Sequence, residues 1–128
     1  MNIAHVALWT RNLNAQVDFW ESVFGARRNE RYLSKNRPGF ASHFMTLSDG
    51  PTIELMTVPD LADTPSHAEF VGWAHIALNV GSKADVDRMA EQARATHTLL
   101  SAPRMTGDGY YEAVIADPDG NRIELVGE

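Results

Sequence analysis

A short pattern occurs twice in this chain at a constant offset of 70, and each copy carries a histidine and a glutamate. Ala4-His5-Val6-Ala7-Leu8 returns as Ala74-His75-Ile76-Ala77-Leu78, and Asp49-Gly50-Pro51-Thr52-Ile53-Glu54-Leu55 returns as Asp119-Gly120-Asn121-Arg122-Ile123-Glu124-Leu125. In both halves the glutamate follows the histidine by 49 residues (5 to 54, 75 to 124). A repeat of this length means that one supersecondary unit was used twice. If a pseudo-two-fold axis relates the copies, two imidazoles and two carboxylates converge on a nitrogen/oxygen site suited to a divalent metal.

The local patterns predict the same unit in each half. Residues 3–9 read as an apolar strand, Asn12 as a helix N-cap, and Val17, Trp20, Val23 and Phe24 as the buried face of a helix that Gly25 ends. In the second half, residues 73–80 read as the strand and Ser82 opens a capping box with Asp85. Val86, Met89, Ala90 and Ala93 then form the inner face of its helix. Strand-like segments follow at residues 27–33, 40–47 and 52–57, and again at 98–102, 110–116 and 122–126; Asp49-Gly50 and Asp119-Gly120 mark the hairpin turns before the last of each set. The expected fold is therefore α+β: two tandem βαβββ units, residues 1–57 and 72–128, forming a curved mixed sheet around a metal-binding cavity. Residues 58–71, rich in proline and acidic side chains, connect them.

Strand alternation assigns the faces. With Val6 and Leu8 against the helix, His5, Ala7 and Trp9 point the other way; with Ile53 and Leu55 in the core, Thr52, Glu54 and Met56 do the same. His75, Ala77, Asn79, Arg122, Glu124 and Val126 repeat the arrangement. Burying carboxylates on one concave face raises their pKa values and costs several kcal/mol per unpaired charge unless a cation lies between them. His5, Glu54, His75 and Glu124 are thus the candidate ligands. Four protein ligands close a tetrahedral shell but leave two positions in an octahedral one, which suits nickel, cobalt, manganese, iron or expanded zinc.

Taken together, the doubled unit, the His5/Glu54/His75/Glu124 set and the ending Asp117-Pro118-Asp119-Gly120-Asn121-Arg122-Ile123-Glu124 resemble the vicinal oxygen chelate superfamily, and within it the glyoxalase I (lactoylglutathione lyase) branch. The resemblance implies a metal-dependent lyase or isomerase. One divalent ion per site, nickel or zinc in the first place, binds two adjacent oxygens of a small substrate, and Glu124 shuttles a proton through an enediolate. It also implies a homodimer whose sites combine the first half of one subunit with the second half of the other. Trp9 and Val58 stand where bacterial glyoxalase I carries the arginine and asparagine that help hold glutathione, so the likeness stops short of the glutathione site. The other functions of this superfamily are metal-free drug sequestration, thiol transfer to an epoxide antibiotic, and extradiol dioxygenation. The complete quartet argues against the first; the other two need only three protein ligands.

Composition narrows the field further. With no cysteine, neither disulfides, thiolate ligands nor a cysteine nucleophile exist, and every metal donor is His, carboxylate, carbonyl or water. A net charge of −6 without a basic block argues against nucleic acid and anionic membranes. The longest apolar run, residues 70–80, is interrupted by Gly72, His75 and Asn79 and is too short for a bilayer. Without a leader-like N-terminus, the expectation is cytoplasmic. Among single residues, Trp9 is balanced between stacking on a substrate and capping the core. His43 reads as structural, His67 and His97 as solvent-facing, Arg27-Arg28 as a solvated strand edge, and Arg104 to Tyr111 as a hairpin connection with a mobile loop as the rival reading.

Overall fold

The computed structural model describes residues 1–63, 69 and 71–128. Two compact units are found, Met1–Thr64 and Pro65–Glu128. The first runs β1 (His5–Trp9), α1 (Leu13–Phe24), β2 (Arg27–Arg28), β3 (Tyr32–Leu33), β4 (Ala41–Thr46) and β5 (Thr52–Thr57). The second runs β6 (Ile76–Gly81), α2 (Lys83–Ala95), β7 (Leu99–Met105), β8 (Tyr111–Ala116) and β9 (Arg122–Gly127). Each unit has one mixed sheet, ordered β1-β5-β4-β2 with β3 also on β4, and β6-β9-β8-β7. The doubled α+β unit of the sequence reading is the fold. No helix among the described residues is long and apolar enough to cross a membrane.

The helices form where the sequence signals lie. Asn12 caps α1 by accepting from the Ala15 amide at 3.0 Å, and Gly25 ends it in the left-handed conformation at φ 63°. Leu13, Val17 and Trp20 are buried under α1, as is Gln16, whose Oε1 takes the Trp20 indole N–H at 3.2 Å. At α2 the Ser82–Asp85 capping box is complete, and Val86, Met89, Ala90 and Ala93 are the buried positions, as their spacing requires. These helices pack on the sheet face that carries Met45, Ile53 and Leu55 in the first unit and Ala113, Ile115, Ile123 and Leu125 in the second. Burial of each large aliphatic side chain contributes about 1.5–3 kcal/mol. The opposite sheet face of each unit carries no helix.

Several boundaries differ from the sequence reading. The segment at residues 27–33 is not one strand, because Asn29 leaves the ladder. Its side-chain oxygen takes the Phe44 amide at 2.8 Å while its own amide donates to the Phe44 carbonyl at 3.0 Å, and its carbonyl accepts from His43 Nδ1 at 3.0 Å. A side chain standing in for backbone bulges the strand and divides it into β2 and β3. Buried His43 belongs to this device and is structural. In the second unit β6 begins at Ile76, so His75 lies just before the strand rather than in it. Conversely β7 runs on to Met105, and Arg104 is a strand residue. Within the connector, His67 lies outside the described residues; His97 is exposed after α2 at φ 60°.

The Asp85 carboxyl is lowered to about 2, first by hydrogen bonds from Ser82 and then by Arg88, so the box stays intact at any pH above the ordinary carboxylate range and loosens only in strong acid. Ser82→Ala is expected to cost about 1 kcal/mol of stability at pH 7, measured by urea unfolding, with no change in the denaturant slope.

Candidate metal and substrate site

The site residues owe their placement to the pairing of the first and last strands of each unit. Strand β1 runs parallel to β5 with Ala7 opposite Glu54, and β6 runs parallel to β9 with Ala77 opposite Glu124. His5 and His75 stand two residues earlier, on the same face, and therefore diagonal to the glutamates. Nε2 of His5 lies 3.5 Å from Oε2 of Glu54, and Nε2 of His75 lies 2.8 Å from Oε2 of Glu124. Exposures match as well: 45% and 16% for the first histidine and glutamate, 46% and 14% for the second. Alanine at positions 7 and 77 leaves space beside each carboxylate. Among the described residues, no group of three or more His, Asp or Glu side chains is arranged to hold a metal ion; what the structure brings together is each histidine with its own glutamate.

Around the second pair is a cavity of about 580 Å³. His75, Ala77, Glu124 and Val126 form its floor, as alternation predicts, and Arg104, Thr106, Asp108, Tyr110 and Glu112 form its wall. That wall is the β7–β8 hairpin. Its turn is closed by Thr106, whose amide donates to the Tyr110 carbonyl at 2.7 Å, whose hydroxyl accepts from the Tyr110 amide at 3.0 Å, and which also bonds Asp108. A hairpin connection, not a free loop, is what residues 104–111 make.

Glu112 escaped the sequence reading. Alternation along β8 places it on the cavity face, since Ala113 and Ile115 are in the core. A carboxylate in the middle of an apolar strand was the available signal, but the repeat hid it, for the matching position in the first half is Ser42. Glu112 is hydrogen-bonded to Glu124, and this contact, then burial and the Glu124 charge, push its carboxyl up to about 7; Arg104, with Nη2 3.6 Å from Glu112 Oε1, opposes the shift.

The first unit's open face differs in character. Phe44 meets the His5 ring edge-on at 5.5 Å, Trp9 is 42% exposed on the same face as His5, and Phe40 meets Trp9 edge-on at 6.1 Å. Arg11 is turned to Asp63 at 2.7 Å and to the Leu61 carbonyl. It does not replace the arginine missing at position 9.

A family model described as the glyoxalase/bleomycin resistance protein/dioxygenase superfamily matches residues 2–125. The chain belongs to this superfamily. No curated protein matches it. Among solved structures, it is similar to a glyoxylase/bleomycin resistance protein/dioxygenase domain from Frankia sp. EAN1pec, at TM-score 0.84 and 16% identity over 100% of this chain and 93% of that one. A lactoylglutathione lyase from Agrobacterium tumefaciens gives TM-score 0.66 and 23% identity, covering 98% and 92%. Glyoxalase I from Zea mays gives 0.75 and 19%, covering 99% of this chain but 44% of the maize chain. At such identities these likenesses establish the fold of this superfamily member and not its reaction.

Because the Glu112 pKa is raised on folding, the group contributes stability in full below about pH 4.5 and loses it as pH rises through about 7. In chelator-treated protein, Glu112→Gln, which keeps a donor towards Glu124 without the second charge, is expected to raise the melting temperature at pH 8.5 and to change it far less at pH 5.5. Parallel melting curves at both pH values would refute the carboxylate pair.

Proposed function

We propose that the protein is a metal-dependent enzyme of the glyoxalase type, acting on a small substrate with two adjacent oxygens. The observation that carries this reading is the twofold recurrence of a histidine Nε2 facing a glutamate Oε2 at matching exposure. Two imidazoles and two carboxylates fit a divalent ion of the nickel, zinc, cobalt, manganese or iron kind, and the donor atoms of each pair are already turned towards one another. His5, Glu54, His75 and Glu124 would hold it. When bound, such an ion supplies Lewis-acid polarisation of the substrate's oxygens.

The chain's own residues carry the proton. Glu124 is the general base: its carboxylate stands on the cavity floor beside His75 and is mostly shielded from solvent, within reach of a substrate carbon held there. Tyr110, Arg104 and Asp108 on the hairpin wall position the rest of the molecule. Glutathione is disfavoured as co-substrate, because Trp9 and Val58 lack the donors for its polar ends. Sequestration of a drug without metal is the rival reading, and the doubled His–Glu pair counts against it.

Elemental analysis of protein purified without added metal should give a near-stoichiometric divalent ion, and Glu54→Gln and Glu124→Gln should each reduce its retention on dialysis by about 10-fold or more, as loss of a ligand charge requires. The same preparations should convert methylglyoxal and glutathione slowly or not at all; kcat/KM of about 10⁵ M⁻¹s⁻¹ would show that glutathione is a substrate after all. A homodimer is the proposed assembly, since each unit leaves one sheet face without a helix. Light scattering should give twice the 14.2 kDa chain mass at micromolar concentration, and a one-chain mass would remove the dimer.

A further inference from the structure

Beside the His5–Glu54 pair, the first unit carries an aromatic wall with a cation fixed on it. Phe44 adjoins His5, Met56 is opposite Trp9 in the ladder, and Phe40 meets both Trp9 at 6.1 Å and Tyr32 at 6.2 Å. The Arg37 guanidinium lies over Trp9 at 5.4 Å and over Phe40 at 5.8 Å from the ring centroids. Among the described residues no carboxylate pairs with Arg37, as none does with Arg27, Arg31 or Arg122, but of these four only Arg37 lies against aromatic rings. A guanidinium set against aromatic rings with no carboxylate partner has N–H groups available to a planar bidentate anion.

The segment bearing Arg37 is built to stay in place. Ser34 and Phe40 close it by an amide-to-carbonyl bond of 3.1 Å, the Ser34 hydroxyl accepts from the Arg37 amide at 3.0 Å, and the Phe40 amide donates to the Arg37 carbonyl at 3.0 Å. Gly39 lies at φ 81° with Pro59 so near that an added Cβ would come within 2.5 Å of it. The internal repeat supplies a control. At the offset of 70, Asn79 matches Trp9, Val114 matches Phe44 and Gly107 matches Arg37. The second unit builds the same sheet without these residues, so the fold does not require them. An exposed aromatic surface not needed for folding marks a ligand contact.

We infer that this wall is the substrate's binding surface and that the substrate is an aromatic carboxylic acid, its ring against Phe44, Trp9 and Phe40 and its carboxylate on Arg37. The inference rests on the proposed reading of the His5–Glu54 face as the reaction face. It adds the spacing: Trp9 is four strand residues from His5, about 13 Å at 3.3 Å per residue, so the substrate is longer than a single ring, with its reacting oxygens and its anchoring carboxylate at opposite ends. Charge and apolar surface are both required. An aliphatic acid loses the ring contact and an aromatic amide loses the charge-assisted pair.

The test is ligand-observed NMR titration of 3-phenylpropionate, 3-phenylpropionamide and propionate into the full chain as purified. The aromatic acid should bind at least about 10-fold more tightly than either comparison compound, the scale of one charge-assisted bidentate contact or one buried ring. Arg37→Gln should abolish the preference of acid over amide while leaving the amide unchanged. Trp9→Leu should weaken acid and amide alike. Circular dichroism of both variants should match the parent, as expected for exposed positions. Equal binding of all three compounds, no binding of the aromatic acid at 10-millimolar levels, on the order of the weakest meaningful affinities, or an unchanged preference in Arg37→Gln would each overturn the assignment. The same titrations after chelator treatment separate the two readings: a preference for the acid that is lost with the metal but not with Arg37→Gln would overturn this assignment and leave the metal reading intact.

Discussion

Parallel pairing of the first and last strand in each unit is the constraint on which the rest depends. It sets Ala7 against Glu54 and Ala77 against Glu124, and the strand period of two then brings a histidine two residues upstream onto the same face. A shift of one residue in either ladder would send the glutamate into the core and Ile53 or Ile123 into solvent. Register is therefore held by the burial of Ile53, Leu55, Ile123 and Leu125, and the chemistry inherits its geometry from the packing on the other side of the sheet. The site needs no dedicated scaffold of its own.

The two units share that frame and differ in what they place around it. In the first, Phe44 meets the histidine and a row of rings from Trp9, Phe40 and Tyr32 continues along the same unit, with the Arg37 guanidinium against two of them. In the second, carboxylates and hydroxyls surround it: Glu112, Asp108, Tyr110 and Thr106, with Arg104 as the opposing charge. Both units thus keep the same His–Glu placement while their open faces differ. The first unit's open face is aromatic and the second's is ionisable, a division that the proposed reaction on an aromatic acid would use.

Glu112 shows how such divergence tunes chemistry. Two carboxylates in hydrogen-bond contact cannot both ionise cheaply, so one keeps a proton near neutral pH. Its position on β8 follows from alternation alone, yet its significance comes from Glu124, which stands diagonal to it across the ladder. Arg104, on the neighbouring strand, moderates the same shift. Two side chains on the neighbouring strands, Glu124 and Arg104, thus act in opposite directions on the Glu112 carboxyl.

The repeat, read without coordinates, was enough to determine the βαβββ unit, its duplication, both helices with their caps, and the face on which His5, Glu54, His75 and Glu124 fall. Those properties are local or periodic: a capping serine, an apolar spacing, a strand alternation and an Asp-Gly turn act within a few residues. Sequence did not reveal the break at Asn29, because that depends on a side chain replacing backbone across the ladder to Phe44. Neither did it reveal the Glu112–Glu124 contact or the placing of Arg37 over Trp9, 28 residues away in the chain. Such contacts join residues distant in sequence with no shared period to announce them, and only the pairing of β8 with β9 and the turn packed by Pro59 against Gly39 bring them within reach.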